Sequence, residues 1–324
     1  DIYSDEEPDD DLIKSEFVKS TKVKKPKIVD SDSDSDSDSD NCSNFSGEPI
    51  REDRFINLIE TIDSDKLNHI ICNKDRYIKL LRIDDPDYDP FKISEKYLEK
   101  SRCGKINTEY IQTQSYGRFY AVQSLSLQNM QREIRHSIAN EFYIDLDIAN
   151  AHPVILVHLC KSKNICCKYL EKFNSKREYY LKKLKCDRDL AKKTILATMN
   201  GGMKDYNNLV EKPKWLLSLK KEIDNIHIKL STGSRFEAHK EKRIEDGINR
   251  NHKASFMNIQ ICDIENTILQ IIYEKLGSPK NSVLCFDGIM ILKDLEYNIS
   301  DLEHAVFNNL QTKGLSIKLK VKDM

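Results

Sequence analysis

Two aspartates at the ends of apolar runs are the residues of this chain best suited to chemistry. Asp147 ends the alternating run 142–147, and Asp287 follows the apolar run 283–286. Carboxylates from separate segments can hold two divalent ions about 3.5–4 Å apart, which activate a hydroxyl and stabilise a leaving phosphate. The pattern therefore predicts metal-assisted nucleotidyl transfer.

A third acid and a turn complicate this interpretation. Asp145 precedes Asp147 by two residues, so both side chains would lie on one face of a strand. Asp287-Gly288 is also a common hairpin dipeptide, and a plain type I′ turn is an alternative interpretation of it. The apolar residues on both sides favour a buried hairpin whose tip presents a carboxylate.

Basic residues between the two aspartates could neutralise phosphate charge. Arg188 and Lys192 are spaced i, i+4, so a helix would direct both toward the same phosphate. Their surroundings are rich in lysine, and a solvated basic face is the alternative interpretation.

The elements that must position these residues are strands and helices in mixed order. The pattern predicts strands at 142–147, 282–292 (strand–turn–strand) and 315–321, and helices at 154–173, 176–200, 212–232 and 255–276. Phe55, Leu58, Ile59 and Ile62 recur at helical spacing, so a helical region is predicted from Arg54 to about Lys100. Acid-bearing strands with helices between them predict an α+β palm-like domain with a helical insertion.

Charge divides the chain into an acidic tail and a basic body. Residues 1–50 hold 15 of the 53 acidic and 6 of the 52 basic side chains, which leaves 38 acidic and 46 basic in the remainder, a net charge of +8. Five Ser-Asp repeats at 31–40 predict a disordered tail. The basic body favours a polyanionic partner, for which the tail could compete.

The order of the motifs resembles that of family A DNA polymerases, the group of bacterial DNA polymerase I. The matching stretches span residues 116–292 and are Tyr116-Gly117-Arg118, Leu127-Gln128-Asn129, Arg132-Glu133-Ile134-Arg135, Ile144 to His152, Arg188 to Lys192 with Asn200-Gly201, Arg250 to Leu269, and Phe286-Asp287-Gly288. They stand where that family has T-G-R, L-Q-N, R-x-x-R, its first metal aspartate, its fingers helix, the helix before its last motif, and His-Asp-Glu. Segment 145–153 also looks like segments in proteins of large DNA viruses and mobile elements.

This resemblance implies a right-hand α+β fold, a palm with a helical fingers insertion. With the acidic Ser-Asp tail at 1–50, it places a helical, reduced thumb-like region at 51–110 and the palm and fingers at 111–324. The implied activity is that of a DNA-directed DNA polymerase that extends a primer by two-metal-ion catalysis. The implied partners are primer–template DNA, dNTPs, and a replication helicase or another replisome protein.

The resemblance also implies roles for individual residues. Asp147 and Asp287 would bind two Mg²⁺ ions, or Mn²⁺ in their place, with Asp145 as a third catalytic acid. The nucleotide-binding residues would be Arg188, Lys192, His152 and Asn200. The residues that hold nucleic acid would be Arg118, Gln128, Asn129, Arg132, Arg135, Arg250 and Asn258.

The chain departs from the family pattern at three positions. His152 stands where the family has a glutamate that blocks the ribose 2′-hydroxyl, and an imidazole there favours dNTPs, although a structural histidine is the alternative. Asn200 replaces a tyrosine that stacks near the templating base. Gly288 removes a carboxylate beside Asp287, which Asp145 could replace.

Three other interpretations fit part of the pattern. An archaeo-eukaryotic-type primase also has an Asp-x-Asp strand and a later lone aspartate, but it leaves Arg188 and Lys192 unexplained. A single-subunit RNA polymerase has the same palm. A nucleic-acid-binding replication module without catalysis would explain Gly288 and Asn200.

Cysteine usage and hydropathy indicate the compartment. The 9 cysteines form no C-x-x-C pair, so neither a zinc site nor a disulfide framework is indicated, and reduced intracellular thiols are expected. No signal peptide or membrane span is apparent, so no membrane partner is expected. We expect a soluble protein of a cytoplasmic viral factory or of the nucleus, with the basic run 22–27 as a candidate nuclear address.

Overall fold

Two antiparallel sheets form the β-structure of the protein, as seen in a computed structural model that describes residues 52–81, 89–113, 116–202, 212–322 and 324. The first sheet has the order β1-β2-β3, with β1 (Arg54–Thr61), β2 (Lys105–Gln112) and β3 (Tyr120–Ala121). The second has the order β5-β6-β4-β7, with β4 (Tyr143–Ile148), β5 (Ser282–Cys285), β6 (Gly288–Leu292) and β7 (Leu319–Lys322). The predicted tail at 1–50 lies outside the described residues.

α-Helices supply most of the remaining regular structure, with short 3-10 helices at Ile78–Leu80, Val122–Ser124 and Leu127–Asn129. In chain order the α-helices are α1 (Ser64–Cys72), α2 (Lys74–Tyr77), α3 (Phe91–Lys100), α4 (Arg132–Ala139), α5 (Ala151–Ser162), α6 (Lys168–Ser175), α7 (Arg177–Lys182), α8 (Arg188–Met199), α9 (Lys214–Leu230), α10 (Ser234–Glu245), α11 (His252–Lys275) and α12 (Ile299–Asn308). The predicted helices at 212–232 and 255–276 and the predicted hairpin at 282–292 are confirmed.

The helix predicted from Phe55, Leu58, Ile59 and Ile62 is wrong, because these residues lie in and just after strand β1. Burial alternates along β2, where Ile106, Thr108, Tyr110 and Gln112 face inward. β1 pairs with β2 over its whole length, from Arg54 opposite Gln112 to Thr61 opposite Lys105. A short apolar run fits both the helical and the strand periodicity. The pairing with β2, which is distant in the sequence, selects the strand.

The two long helices predicted between residues 154 and 200 are each divided. The first ends at Ser162, and Asn164 follows with a left-handed φ of +53° before α6 begins. α7 ends at Lys182, and Lys185 has a φ of +51° before α8 begins. Left-handed backbone cannot continue an α-helix, so the lysine-rich region folds as shorter helices around a shared apolar interior.

The apolar core fixes β4 at the centre of the second sheet. β4 lies between β6 and β7, and Leu146 and Ile148 are buried within the larger cluster of core side chains. The mixed α and β composition agrees with the α+β expectation, whereas the right-hand palm and the three predicted domain boundaries stay predictions. The central strand carries Asp145 and Asp147, so the core positions the predicted site.

Candidate functional site

Asp147 and Asp287 are brought together by the pairing of β4 with β6. Asp147 stands opposite Gly288 in the ladder, and the Ile148 amide donates to the Asp287 carbonyl oxygen at 3.0 Å. Residues that lie 140 positions apart in the chain thus meet at one end of the central strand. The sequence prediction that these two carboxylates share a site is consistent with this register.

The anionic form of the Asp147 carboxylate is only partly stabilised by its surroundings. Burial and the nearby charge of Asp287 raise its pKa to about 6, although Lys322 counteracts them. Lys322 on β7 places Nζ 2.6 Å from Asp147 Oδ1. A carboxylate whose pKa is raised by a second carboxylate gains when a divalent cation supplies the missing charge.

The hairpin tip differs from the type I′ turn at Asp287-Gly288 that was the alternative interpretation. Cys285 pairs with Gly288, so the loop residues are Phe286 and Asp287, and Phe286 has a φ of +60°. A Cβ on Gly288 would lie 2.6 Å from the Leu146 carbonyl oxygen. Gly288 therefore lets β6 approach β4 closely, and this approach brings Asp287 beside Asp147.

Asp145 supports the pair from a more enclosed position. It is buried on the same face of β4 as Asp147, and His136 Nε2 lies 3.6 Å from its Oδ2. Burial alone would raise the pKa of Asp145, but His136, Lys322 and Arg135 outweigh it and lower the pKa. Asp145 is therefore the more buried of the two carboxylates, with its anionic form stabilised by neighbouring basic side chains, and Asp147 is the more open carboxylate.

Beside the hairpin, Arg118 joins a buried network that sequence reasoning missed. Arg118 Nε donates to Glu265 Oε2 at 2.6 Å, and its Nη2 lies 3.1 Å from His152 Nε2. Its guanidinium also lies over the Phe286 ring, 5.3 Å from the centroid. Glu265 is fully buried on α11, and a lone acid on the apolar face of that long helix was the signal available in the sequence.

The donor set in this network could also hold a metal ion. Ligand atoms of His152, Cys262 and Glu265 lie within 4.8 Å of one another. Burial and Arg118 lower the pKa of His152 to about 4, so the ring is neutral and its Nε2 accepts from Arg118. Arg118 already pairs with Glu265 and donates to His152. We therefore assign to Arg118, and not to a metal ion, the positive charge that balances Glu265. His152 is thus a histidine held within a network, which fits the structural alternative for this residue.

Gln128 is buried, and the structure does not support its predicted contact with nucleic acid. Its Nε2 donates to the Phe119 and Leu284 carbonyl oxygens at 3.0 and 2.8 Å, and its Oε1 accepts from the Ala121 amide at 3.2 Å. These bonds use both ends of the side-chain amide. Gln128 therefore fastens β5, which leads to Asp287, to the segment around β3.

The other predicted nucleic-acid contacts are dispersed. Arg135 is half-buried and donates to the Leu127 carbonyl oxygen at 3.3 Å. Arg132 and Arg250 are exposed, and Asn129 and Asn258 are half-buried. The structure therefore leaves Arg132 and Arg250 at the surface, while Arg135 binds the backbone of its own chain.

Arg188 and Lys192 have acidic partners close by in the chain. Arg188 binds Glu178 through Nε and Nη2 at 2.9 and 2.6 Å, and Lys192 Nζ lies 2.8 Å from Asp189 Oδ1. Within the described part of the chain, no hydrogen bond or ion pair joins Arg188 or Lys192 to Asp147 or Asp287. The prediction that both direct their charge at the same phosphate is therefore not supported.

Asn200 ends α8. Its carbonyl oxygen accepts from Asn251 Nδ2 at 3.1 Å, which ties the end of α8 to the start of α11. A Cβ on the next residue, Gly201, would lie 2.3 Å from Asn251 Oδ1. This junction is closely packed, so the observed role of Asn200 is to join two helices.

Comparison with known proteins gives one informative similarity. The chain is 30% identical over 291 residues to V13, a protein of the Sputnik virophage that is named as a helicase. The match covers 82% of this chain and 37% of V13, so the chain spans little more than a third of that relative. No family model matches the chain.

This similarity overturns the resemblance to family A DNA polymerases. The relative is named as a helicase, a different class of enzyme, so the predicted DNA-directed DNA polymerase is wrong. The alternatives of primase, single-subunit RNA polymerase and inactive replication module did not include a helicase. The virophage origin of V13 fits the expected likeness to viral and mobile-element proteins. Short motifs in a plausible order were therefore not specific enough to identify the enzyme class.

Within the described residues, no helix is both long enough and apolar enough to span a membrane.

Proposed function

We propose that this chain is the nucleic-acid-binding part of a helicase-type protein, and that Asp147 and Asp287 hold a divalent cation against a phosphate group. The proposed class, a helicase-type protein, rests on the 30% identity to V13 in a match that covers 82% of the chain. The observation that supports the site is the pairing of β4 with β6, which brings the two carboxylates together.

The residues present fit Mg²⁺. This ion prefers carboxylate oxygens and commonly shares its shell with water and substrate phosphates. Asp147 and Asp287 would be its protein ligands, a second ion could bind beside it, and Mn²⁺ could replace Mg²⁺. A cation on Asp147 would displace Lys322, whose ammonium would then be released to face the phosphate.

The proposed partners are a nucleic acid and a nucleoside triphosphate. The net charge of +8 outside the acidic tail suits a polyanion. The 324 residues contain no G-x-x-x-x-G-K-[ST] loop, so we do not assign phosphate binding here to a loop of that kind. Single-stranded, forked and primer–template DNA are the substrates to compare, with ATP and dNTPs as nucleotides.

The test is binding and turnover by the purified chain. Forked DNA and ATP are titrated with Mg²⁺ or Mn²⁺ for the intact chain and for Asp147→Asn and Asp287→Asn. Asp294→Asn is the matched control because Asp294 is an exposed aspartate just beyond the other end of β6. We expect part of the binding to depend on the metal ion, and we expect both site variants to lose that part and the control to keep it. Template-dependent extension of a primer by dNTPs would overturn the helicase class.

A further inference from the structure

We propose that the lysine-rich helical segment 161–193 forms a second site, which binds single-stranded nucleic acid without a metal ion. The segment comprises the end of α5, all of α6 and α7, and the start of α8. The inference rests on the proposed function only in taking nucleic acid as the partner. It assigns the recognition of an unpaired strand to exposed tyrosines with lysines around them.

The segment accounts for the net positive charge of the residues outside the tail. It contains 12 Lys and Arg and 4 Asp and Glu, a net charge of +8, which equals the net charge of all residues outside the 1–50 tail. The rest of the body is therefore close to neutral. A polyanion that approaches the body would be drawn to these helices first.

The four acids of the segment are already engaged. Glu171 pairs with Lys161 at 2.8 Å, Glu178 with Arg188 at 2.6 Å and Asp189 with Lys192 at 2.8 Å. Asp187 caps α8 by accepting from two backbone amides at 2.9 and 3.3 Å. With 12 basic side chains and only four acids, the segment keeps its net charge of +8.

Two tyrosines of the segment present rings to solvent. Tyr169 is 40% exposed and Tyr179 is 53% exposed. Lys172 Nζ lies 5.8 Å from the Tyr169 ring centroid, and Lys183 Nζ lies 5.0 Å from the Tyr179 ring centroid. Each ring therefore has an ammonium group over one of its faces. Proteins bind single strands without sequence preference in this way: bases stack on aromatic rings while basic side chains bind the phosphates.

A row of aromatic side chains holds Tyr179 in place. Its ring centroid lies 5.3 Å from that of Tyr180, which lies 4.8 Å from that of Trp215 on α9. Trp215 Nε1 is buried and has no hydrogen-bond partner among the described residues. A ring fixed in this way loses little freedom when a base stacks on it, which favours binding.

The exposed rings distinguish a single strand from other polyanions. The bases of a duplex are stacked on each other, so a duplex could contact the lysines but not the tyrosine faces. An acidic peptide would likewise use the lysines alone. A single strand is the partner that uses both features of the segment.

The experiment measures binding of fluorescent oligo(dT) by anisotropy in EDTA, with the fluorescence of Trp215, the single tryptophan, as a second readout. The variants are Tyr179→Ala, Tyr169→Ala and Tyr179→Phe, with Tyr297→Ala as the control because Tyr297 is 36% exposed outside the segment. We expect each alanine variant to weaken binding at least about fivefold, as loss of one stacked base would. Tyr179→Phe and the control should bind as the intact chain does.

Three results would overturn the inference. These are unchanged affinity in both tyrosine-to-alanine variants, equal losses in the Tyr297→Ala control, or equal losses for duplex DNA and for an acidic peptide. Failure of the proposed function is distinguishable, because it would leave metal and Asp147→Asn without effect while binding in EDTA still depended on the tyrosines. Loss of metal dependence in Asp147→Asn with no effect of the tyrosines would reject only this second site.

Discussion

Lys322 and Asp147 form an ion pair between neighbouring strands of the second sheet, with Nζ 2.6 Å from Oδ1. This lysine partly offsets the effect of burial and of Asp287 on the Asp147 carboxylate. A metal ion at the site must compete with Lys322 for the same oxygen. The pair is therefore the element of the site most open to direct manipulation.

Replacing Lys322 should tighten the binding of a bare divalent cation. In Lys322→Gln the competing ammonium is gone, so we expect Mn²⁺ to bind severalfold more tightly at pH 7.5 by calorimetric titration. Lys313→Gln is the control because Lys313 is exposed beyond α12. Weaker Mn²⁺ binding in Lys322→Gln alone would show that Lys322 does not compete at the site.

In the metal-free protein, the contribution of Asp147 to stability should fall as pH rises from about 4 to 6. The folded-state pKa of Asp147 is raised from 3.8 to about 6, so the folded protein holds this proton more tightly than the unfolded chain does, and that stabilisation is lost as pH rises through the folded pKa. Asp147→Asn should therefore raise the free energy of unfolding at pH 7.5 by at most about 3 kcal/mol, with little effect at pH 4. Denaturant unfolding at the two pH values measures this, and a variant less stable than the intact chain at pH 7.5 would contradict it.

Gly288→Ala should loosen the hairpin. The added Cβ would lie 2.6 Å from a backbone oxygen, so β6 must move away from β4 at a cost of about 1–3 kcal/mol. Gly314→Ala separates this effect from backbone strain, because Gly314 has a φ of +79° and open space around it. We expect both variants to lose stability, because an alanine at the φ of Gly314 is strained, and we expect only Gly288→Ala to weaken metal binding as well. Equal metal affinity in both variants would mean that the close approach does not position Asp287.

Gln128→Met should destabilise the protein because it leaves three backbone groups without their partner. Two carbonyl oxygens and one amide would lose their hydrogen bonds to the side chain, for a loss of about 2–4 kcal/mol in the free energy of unfolding. Gln311→Met, at an exposed glutamine, is the control. Thermal unfolding together with nucleic-acid affinity tests the assignment. A variant of normal stability with weakened nucleic-acid binding would restore Gln128 to the interface.

Breaking the Arg118–Glu265 pair from one side should cost more than removing both partners. Glu265 is fully buried, so Arg118→Met leaves an uncompensated carboxylate and should lower the free energy of unfolding by about 3–5 kcal/mol. The double variant Arg118→Met, Glu265→Met should recover part of that loss. A double-mutant cycle with additive losses would show that the two side chains are not coupled.

The parts of the site that the sequence could predict are those encoded locally. The alternation of residues 142–147 and the apolar runs around Asp287 predicted three strands and a hairpin tip that the structure contains. The tertiary partners could not be predicted in this way. Glu265 meets Arg118 across 147 positions of chain, and β1 becomes a strand because β2 pairs with it.

The basic residues of α8 show what helical spacing cannot predict. Helical spacing placed Arg188 and Lys192 on one face, but spacing could not reveal that Glu178 and Asp189 would take up both charges. The enzyme class was predicted wrongly for a related reason. Each polymerase-like motif is short, and neither the order nor the spacing of the motifs shows what the folded side chains contact.

The most direct test of the account is Mn²⁺ binding followed by the loss of the free-ion electron paramagnetic resonance signal, in the presence and absence of ATP. We predict that the intact chain and Asp294→Asn bind Mn²⁺, more tightly with ATP because the ion is shared with its phosphates, and that Asp147→Asn and Asp287→Asn do not. Mn²⁺ binding that survives both substitutions unchanged would contradict the central claim that these two carboxylates hold the cation.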